Sequence, residues 1–384
     1  MPQIPVSIIT GFLGAGKTTL INHILKEDHG QAVAVIINEY GEESIDHRLV
    51  MAVEEDIYQM ANGCLCCTLR TDIADMLRSI LKAKEEKGVA IDHIIIETTG
   101  MADPAPIVQT FFNLPFLKQH FRINGVICLV DSLYIEKQLA WQSEPEKQIA
   151  FADHLYLTKT DQVKQERLHE IEDLVRQINP MAPLDLLDLS TIHLDDILQM
   201  DAFMMTEEQV HLMRKAQEVF EEEQVHSHCQ KSCPHEHDEE DRQSISNPSS
   251  CDYAQKEEDI VHDHKHHEHD HHSSVVSLAI HEKEPLSLEA IQMWLNELIS
   301  YYGPQLYRYK GILSVANVPN QIIIQGVQMS FDVSEGRPFI SEEDRESTLV
   351  LIGHSLPKEE LMESFKSTVL GYTSDDPYRQ PLDF

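Results

Sequence analysis

The chain has 384 residues, and 65 Asp and Glu outweigh 30 Lys and Arg to give a formal charge of −35. That balance excludes nucleic-acid binding through a general basic footprint and favours cations as partners. No apolar stretch reaches the ~20 residues of a membrane span, and seven cysteines at this length fit reduced thiols rather than a disulfide framework.

The opening residues do not read as a signal peptide, because a phosphate-binding pattern begins almost at once; the expected location is cytoplasmic. Val6 to Ile9 is a short apolar run that reads as a buried strand. Gly11-Phe12-Leu13-Gly14-Ala15-Gly16-Lys17-Thr18 matches G-x-x-x-x-G-K-[ST] in full. Thr19 onward continues as a helix with apolar residues at 20, 21, 24 and 25. Strand, Gly-rich loop and helix N-terminus together cradle phosphates electrostatically. In that cradle Lys17 reaches the β- and γ-phosphates, and the Thr18 hydroxyl meets Mg²⁺.

Val33 to Ile37 is the next strand, and the polar segment Asn38 to Asp46 stands where a nucleotide switch loop would be. Gly63-Cys64-Leu65-Cys66-Cys67 follows. Three closely spaced thiols present soft thiolate donors suited to a Zn²⁺-type ion. A helix starting at Thr68 or Leu69 would lower their pKa and favour the metal-binding form. Ile94-Ile95-Ile96-Glu97 reads as a buried strand ending in a carboxylate, followed by Thr98-Thr99-Gly100. Glu97 can order Mg²⁺ or its waters, and Gly100 can offer its backbone to a γ-phosphate. Glu97 or a residue of the 38–46 loop is the candidate for positioning the attacking water. Pro104 opens a helix, Asn124 to Asp131 is a strand in which Cys128 is a small core residue, and further helices begin near 144 and 164. Leu155 to Leu157 leads into Thr158-Lys159-Thr160-Asp161. An Asp there accepts hydrogen bonds from guanine N1–H and N2–H₂, donors that adenine lacks, so the segment argues for GTP. Asn179-Pro180 ends the preceding helix, and Pro183 to Leu187 is a further short strand. The alternation is that of a parallel sheet with helices on both faces.

From about 205 the composition turns to His, Asp, Glu and Ser, with clusters at 226–237 and 262–272. This segment reads as a disordered insertion whose imidazoles capture or buffer transition metals. From 274 a smaller α+β domain is expected, with strands near 275–280, 307–315, 321–325 and 348–352, a helix capped by Ser287 and a last helix after Pro357, the sheet covered on one face. Arg308 and Lys310, flanking Tyr309, are expected on a solvated or interfacial face. The expected division is 1–204, 205–273 and 274–384.

Together, Gly11 to Leu20, Asn38 to Asp46, Gly63 to Cys67, Glu97 to Phe112, Leu157 to Asp161 and Tyr307 to Leu313 resemble the CobW family of P-loop GTPases. Those are relatives of the nickel-insertion GTPases of hydrogenase and urease. Most GTPases carry Asn where this chain has Thr158, so guanine selection leans on Asp161. The resemblance implies slow, metal-linked GTP hydrolysis and delivery of zinc to a client metalloprotein. It also implies a metal site of Cys64, Cys66 and Cys67, with Glu42 as an oxygen donor, and leaves room for a nucleotide- or metal-dependent dimer. Zinc storage with a vestigial GTPase, insertion of cobalt or another metal, and a nucleotide-regulated interaction switch are the alternatives.

Overall fold

Five apolar runs form the spine of the first domain: β1 (Ile4–Gly11), β2 (Val33–Ile37), β5 (His93–Glu97), β6 (Phe121–Asp131) and β7 (His154–Thr158). The structure, a computed structural model, describes residues 2–37, 47–53, 56–62, 69–202, 275–339 and 345–372. Near-continuous hydrophobicity marks strands covered on both faces. With β3 (His47–Val53), β4 (Asp56–Asn62) and β8 (Leu184–Leu186) they make one sheet in the order β4-β3-β2-β5-β1-β6-β7-β8. The run from β2 to β8 is parallel, and β3 and β4 extend it as an antiparallel hairpin that the sequence reading did not anticipate.

Helices α1 (Lys17–Lys26), α2 (Leu69–Lys87), α3 (Ala105–Asn113), α4 (Pro115–His120), α5 (Ile135–Trp141), α6 (Glu144–Phe151), α7 (Gln165–Ile178) and α8 (Asp195–Leu198) pack around the sheet. The starts expected near 17, 69, 104, 144 and 164 are observed; the short α4, α5 and α8 were not foreseen. Neighbouring residues of a strand face opposite layers. In β5, Ile94 and Ile96 join the core under Ile73, Leu77 and Phe111, whereas Ile95 joins that of Leu20, Ile21 and Ile24. Cys128 is a buried core residue, and burial pushes its thiol up to about 12.

The second domain comprises β9 (Val275–Glu282), α9 (Leu288–Tyr302), β10 (Leu306–Leu313), β11 (Asn320–Val327), β12 (Ser330–Pro338), β13 (Ser347–His354) and α10 (Lys358–Lys366). The sheet order is β12-β11-β10-β13-β9, all antiparallel. The Ser287 hydroxyl accepts from Ala290 N at 3.4 Å and caps α9 as expected. Leu278, Ile280, Leu349 and Leu351 pack on Trp294, Leu298 and Phe365. The opposite face is covered too, which corrects the expectation of a one-sided sheet. Val275, Ala279, Tyr307, Val350 and Ile352 join a core with Ile149, Leu168, Ile171 and Val175 of the first domain. Both alternating phases of β9 and β13 are apolar, and each needs a partner layer.

Arg308 and Lys310 lie in that interface rather than in solvent. Arg308 Nη2 donates to Asp153 Oδ1 at 2.6 Å, with each side chain only 4% exposed. Lys310 Nζ donates to the Ala202 carbonyl. Burial pulls the Lys310 ammonium down to about 8, the Asp153 carboxylate offsetting part of the fall and Arg308 adding to it. Among the described residues no helix is long and apolar enough to cross a membrane.

Breaking a buried ion pair from one side strands the other charge, so Arg308→Ala should cost about 3–5 kcal/mol in urea unfolding. Arg308→Met with Asp153→Asn, which removes both charges and keeps the Val126 N–H bond, should recover most of that loss. For Lys310 the folded pKa lies below its ordinary 10.5. Between the two values the unfolded chain binds the extra proton, so the group's contribution to stability rises with pH from about 8 to 10.5. The stability difference between wild type and Lys310→Met should climb across that window, and a flat difference would contradict the assignment.

Candidate functional site

β1 ends on Gly11 at the C-terminal edge of the sheet, where φ is 137° and a Cβ would sit 2.4 Å from the Leu129 carbonyl oxygen. Only glycine fits there. Gly16, at φ 101°, is the N-cap of α1 and offers no side-chain cap, so the first-turn N–H groups are left for an anion. Gly14 also has positive φ, Ala15 N donates to Phe12 O at 3.1 Å, and the buried Ala15 methyl belongs to the core. Ala15 therefore serves the cradle through its backbone. Thr19 is exposed on the first turn of α1.

Lys17 Nζ donates to the Gly11 carbonyl at 2.8 Å and the Phe12 carbonyl at 3.2 Å. Burial lowers its pKa, with Glu97 and then Cys128 opposing the shift. Phosphate oxygens are stronger acceptors for this cation than neutral carbonyls. Thr18 Oγ1 donates to Glu97 Oε1 at 2.8 Å, and Glu97 is buried. The three residues expected to act together, Lys17, Thr18 and Glu97, thus converge on one edge. A hydroxyl and a carboxylate are hard oxygen donors of the kind Mg²⁺ takes, directly or through its waters.

Beyond Glu97, Thr98 N donates to Ile9 O at 3.0 Å and Thr98 Oγ1 to Thr10 Oγ1 at 2.9 Å, fastening the loop to β1. Gly100 packs so closely that a Cβ would lie 2.6 Å from Leu13 N. Asp103 Oδ1 accepts from Ala105 N, the first amide of α3, at 2.8 Å; burial raises its pKa, this bond lowering it in part. Gln148 of α6, which the sequence reading passed over, donates to the Gly100 and Ala102 carbonyls.

On the other flank, Thr158 is buried and its hydroxyl donates to Val130 O at 3.2 Å, so it ties β7 to β6. Lys159 takes a left-handed conformation, φ 57°, and its Nζ donates to Asp131 Oδ2 at 2.6 Å while lying 5.8 Å from the centre of the Tyr134 ring. Asp161 is exposed in the 3₁₀ turn Thr160–Gln162. Asp131 was missed as a site residue; its one signal is its place at the end of β6, opposite Thr158 in the ladder.

Glu42, Cys64, Cys66, Cys67, the 38–46 loop and the His-rich segment lie outside the described residues. Among the described residues no group of three or more His, Cys, Asp or Glu is arranged to hold a metal. The strand register nonetheless fixes where those segments leave the sheet. Ile37 pairs with Glu97, Ile36 with Leu49, and His47 with Asn62. The chain therefore departs at Ile37, returns at His47 and departs again at Asn62 along the edge that carries the P-loop and Glu97.

This fold and this edge define a P-loop nucleotide-binding protein. Residues 5–185 match the family model described as CobW/HypB/UreG, nucleotide-binding domain, and residues 275–369 match the cobalamin synthesis protein cobW C-terminal domain. The chain belongs to the CobW family. It is 32% identical to the zinc chaperone YjiA of Escherichia coli, across 95% of this chain and 98% of that one. It is 27% identical to the zinc chaperone CobW of Pseudomonas aeruginosa, across 93% and 89%. Among solved structures, Zn(II)-bound YjiA GTPase from E. coli aligns with a TM-score of 0.67 and 29% identity, covering 96% of this chain and 99% of that one.

Glu97→Gln preserves an acceptor for the Thr18 hydroxyl and removes the negative charge. It should raise the Mg²⁺ concentration needed for half-maximal nucleotide hydrolysis about tenfold and slow turnover at saturating Mg²⁺. A phosphate-release assay across a Mg²⁺ titration reads both, and wild-type behaviour would remove Glu97 from the site.

Proposed function

We propose that this chain is a Mg²⁺-dependent GTPase that uses the γ-phosphate state to control binding and delivery of Zn²⁺ to a client metalloprotein. The observation that carries the reading is the strand register, which launches both the 38–46 loop and the cysteine motif from the edge holding Lys17, Thr18 and Glu97. The relatives named as zinc chaperones, one of them solved as a Zn(II)-bound GTPase, support the choice of metal and nucleotide. The three parts of the chain are read as a GTPase domain over 1–204, a metal-capturing insertion over 205–273 and a C-terminal domain over 274–384.

In this reading Gly11, Gly14, Ala15 and Gly16 wrap the phosphates with backbone N–H groups, and Lys17 exchanges its carbonyl partners for β- and γ-phosphate oxygens. Asp161 accepts from guanine, and the Lys159 stem, pinned by Asp131, covers the base. Thr158 shapes that corner rather than bonding the base itself. Bound Mg²⁺, held through Thr18 and Glu97, supplies charge neutralisation at the phosphates. Glu97 or a residue of the 38–46 loop orients the attacking water. Water oxygen bonds to the γ-phosphorus, the bond to the β–γ bridging oxygen breaks, GDP leaves with that electron pair, and the water's proton ends on solvent or phosphate. Gly100 offers its N–H to the γ-phosphate and loses that partner after hydrolysis. Thiolates of Cys64, Cys66 and Cys67, with Glu42, hold Zn²⁺ as cargo, and the switch-like loop carries the γ-phosphate change to them. A client metalloprotein and a nucleotide- or metal-dependent dimer are the partners of this cycle. The cytoplasm, where thiols stay reduced, is its place.

The test is Zn²⁺ affinity by chelator competition in a variant lacking residues 226–272, with Mg²⁺ and GDP, a non-hydrolysable GTP analogue, or no nucleotide. A shift of about tenfold between nucleotide states, ~1.4 kcal/mol of coupling, is expected. Cys66→Ser with Cys67→Ser should abolish the tight site. Equal tight binding in all three states would sink the delivery mechanism and favour storage.

A further inference from the structure

Gln148 sits within α6 with no exposed surface. Its Nε2 donates to the Gly100 carbonyl at 3.2 Å and to the Ala102 carbonyl at 3.0 Å. Chemistry fixes that orientation, because the reversed amide would press Oε1 against two carbonyl oxygens. As placed, Oε1 is buried without a hydrogen-bond partner among the described residues. A half-satisfied buried amide is an uncommon feature, and an apolar side chain of similar shape would fill the same space without stranding an oxygen. The amide is explained by what its nitrogen holds.

What it holds is the middle of the loop after β5. The start of that loop is tied to β1 through Thr98, and its end to α3 through Asp103. Between them, Gln148 grips the two carbonyls that flank Met101. The far end of α6 is anchored in turn. Asn179 Nδ2 donates to the carbonyls of Ile149 at 2.8 Å and Ala152 at 3.0 Å, and Asp153 Oδ2 accepts from Val126 N at 3.0 Å. Across the domain boundary Arg308 pairs with Asp153 and lies 5.7 Å from the centre of the Phe151 ring. α3, on the other side of the loop, is gripped by the same domain: Gln109 Nε2 donates to Gln328 Oε1 at 2.7 Å, and Asn113 Nδ2 to Ser330 Oγ at 3.2 Å.

We propose that Gln148 is the positioning residue that sets the Gly100 amide against the γ-phosphate, and that through α6 this setting depends on the docked C-terminal domain. The inference rests on the reading that the 98–103 loop meets the γ-phosphate. Gln148 touches no reacting atom. It fixes the loop that does, and the helix that carries it ends two residues before Asp153, the partner of Arg308. The state of the nucleotide and the seating of β10 are thereby linked through one short rigid element.

The experiment compares amide hydrogen exchange of residues 98–103 with GDP and with a non-hydrolysable GTP analogue, alongside kcat and KM for GTP, in wild type and Gln148→Met. Wild type should show slower exchange with the analogue. Gln148→Met should lose that difference and drop kcat about tenfold, while KM and GDP affinity stay within about twofold and the melting temperature is held. Retained kcat and a retained exchange difference would overturn the proposal. So would a parallel loss of GDP binding, analogue binding and thermal stability, which marks a merely structural residue. No exchange difference in wild type would instead remove the underlying reading of the loop, and the proposal with it. Arg308→Met with Asp153→Asn leaves Gln148 in place and keeps the Val126 bond. It should reduce the exchange difference and lower kcat several-fold, and wild-type values in it would overturn the link to the C-terminal domain.

Discussion

Thr18 and Glu97 are separated by most of the first domain's opening half, yet their side chains meet at 2.8 Å. The contact exists because β1 and β5 are parallel neighbours in a register that pairs Ile9 with Glu97, two residues before the P-loop begins at Gly11. Parallel strands bring equivalent ends to one edge, and the edge at their C-terminal ends is where helix N-termini and strand-end carboxylates gather. That constraint gathers four strand ends at one edge. Gly11 ends β1, Glu97 ends β5, Asp131 ends β6 and Thr158 ends β7. A slip of one residue in β5 would send its apolar side chains to the wrong layers and carry the carboxylate away from Thr18.

The same edge explains how a nucleotide could act on groups far from it in sequence. Two neutral hydrogen bonds from Gln148 are worth only about 1 kcal/mol each, too little to hold a fold and about right to bias a loop. The buried Arg308–Asp153 pair is of a different order, because losing one partner leaves an unpaired charge in a dry interface. Docking of the second domain is therefore the stiff term and the 98–103 loop the soft one. A soft loop clamped between two helices that share a stiff support is the arrangement that lets a phosphate contact be felt elsewhere without unfolding anything.

The parts of this architecture that were readable in the sequence are those written locally. The P-loop is contiguous, the buried strands are apolar runs, and Ser287 stands three residues before the amide it caps. The rest depends on partners distant along the chain. Asp131, Gln148 and Asn179 are single polar residues with no periodic signature; their partners lie in other elements and only the fold brings them into reach. β12 is exposed at most positions, with Phe331 and Val333 open to solvent, so no apolar alternation betrays it, and its ladder with β11 alone defines it. For β9 and β13 the expectation of one covered face fails because both alternating phases carry apolar residues, and nothing in either strand says that α6 and α7 cover the second face. Arg308 and Lys310 read as a solvated or interfacial face, and only the opposing Asp153 and the Ala202 carbonyl decide for the interface, because a buried cation and an exposed one look alike in sequence.

Coupling between nucleotide and cargo, if carried along this edge, runs both ways with equal strength. Whatever free energy the γ-phosphate spends on tightening the cysteine site, bound Zn²⁺ must return as tighter binding of GTP over GDP. A chain of charge −35 attracts cations of every kind, and oxygen and nitrogen donors alone follow the general affinity order of the divalent metals. In the proposed reading, selection comes from the thiolates of Cys64, Cys66 and Cys67. In the proposed cycle capture and choice fall to two segments, and the described chain stops at Asn62 on the edge that holds Lys17 and Glu97, so the segment that follows is the one the proposal couples to hydrolysis.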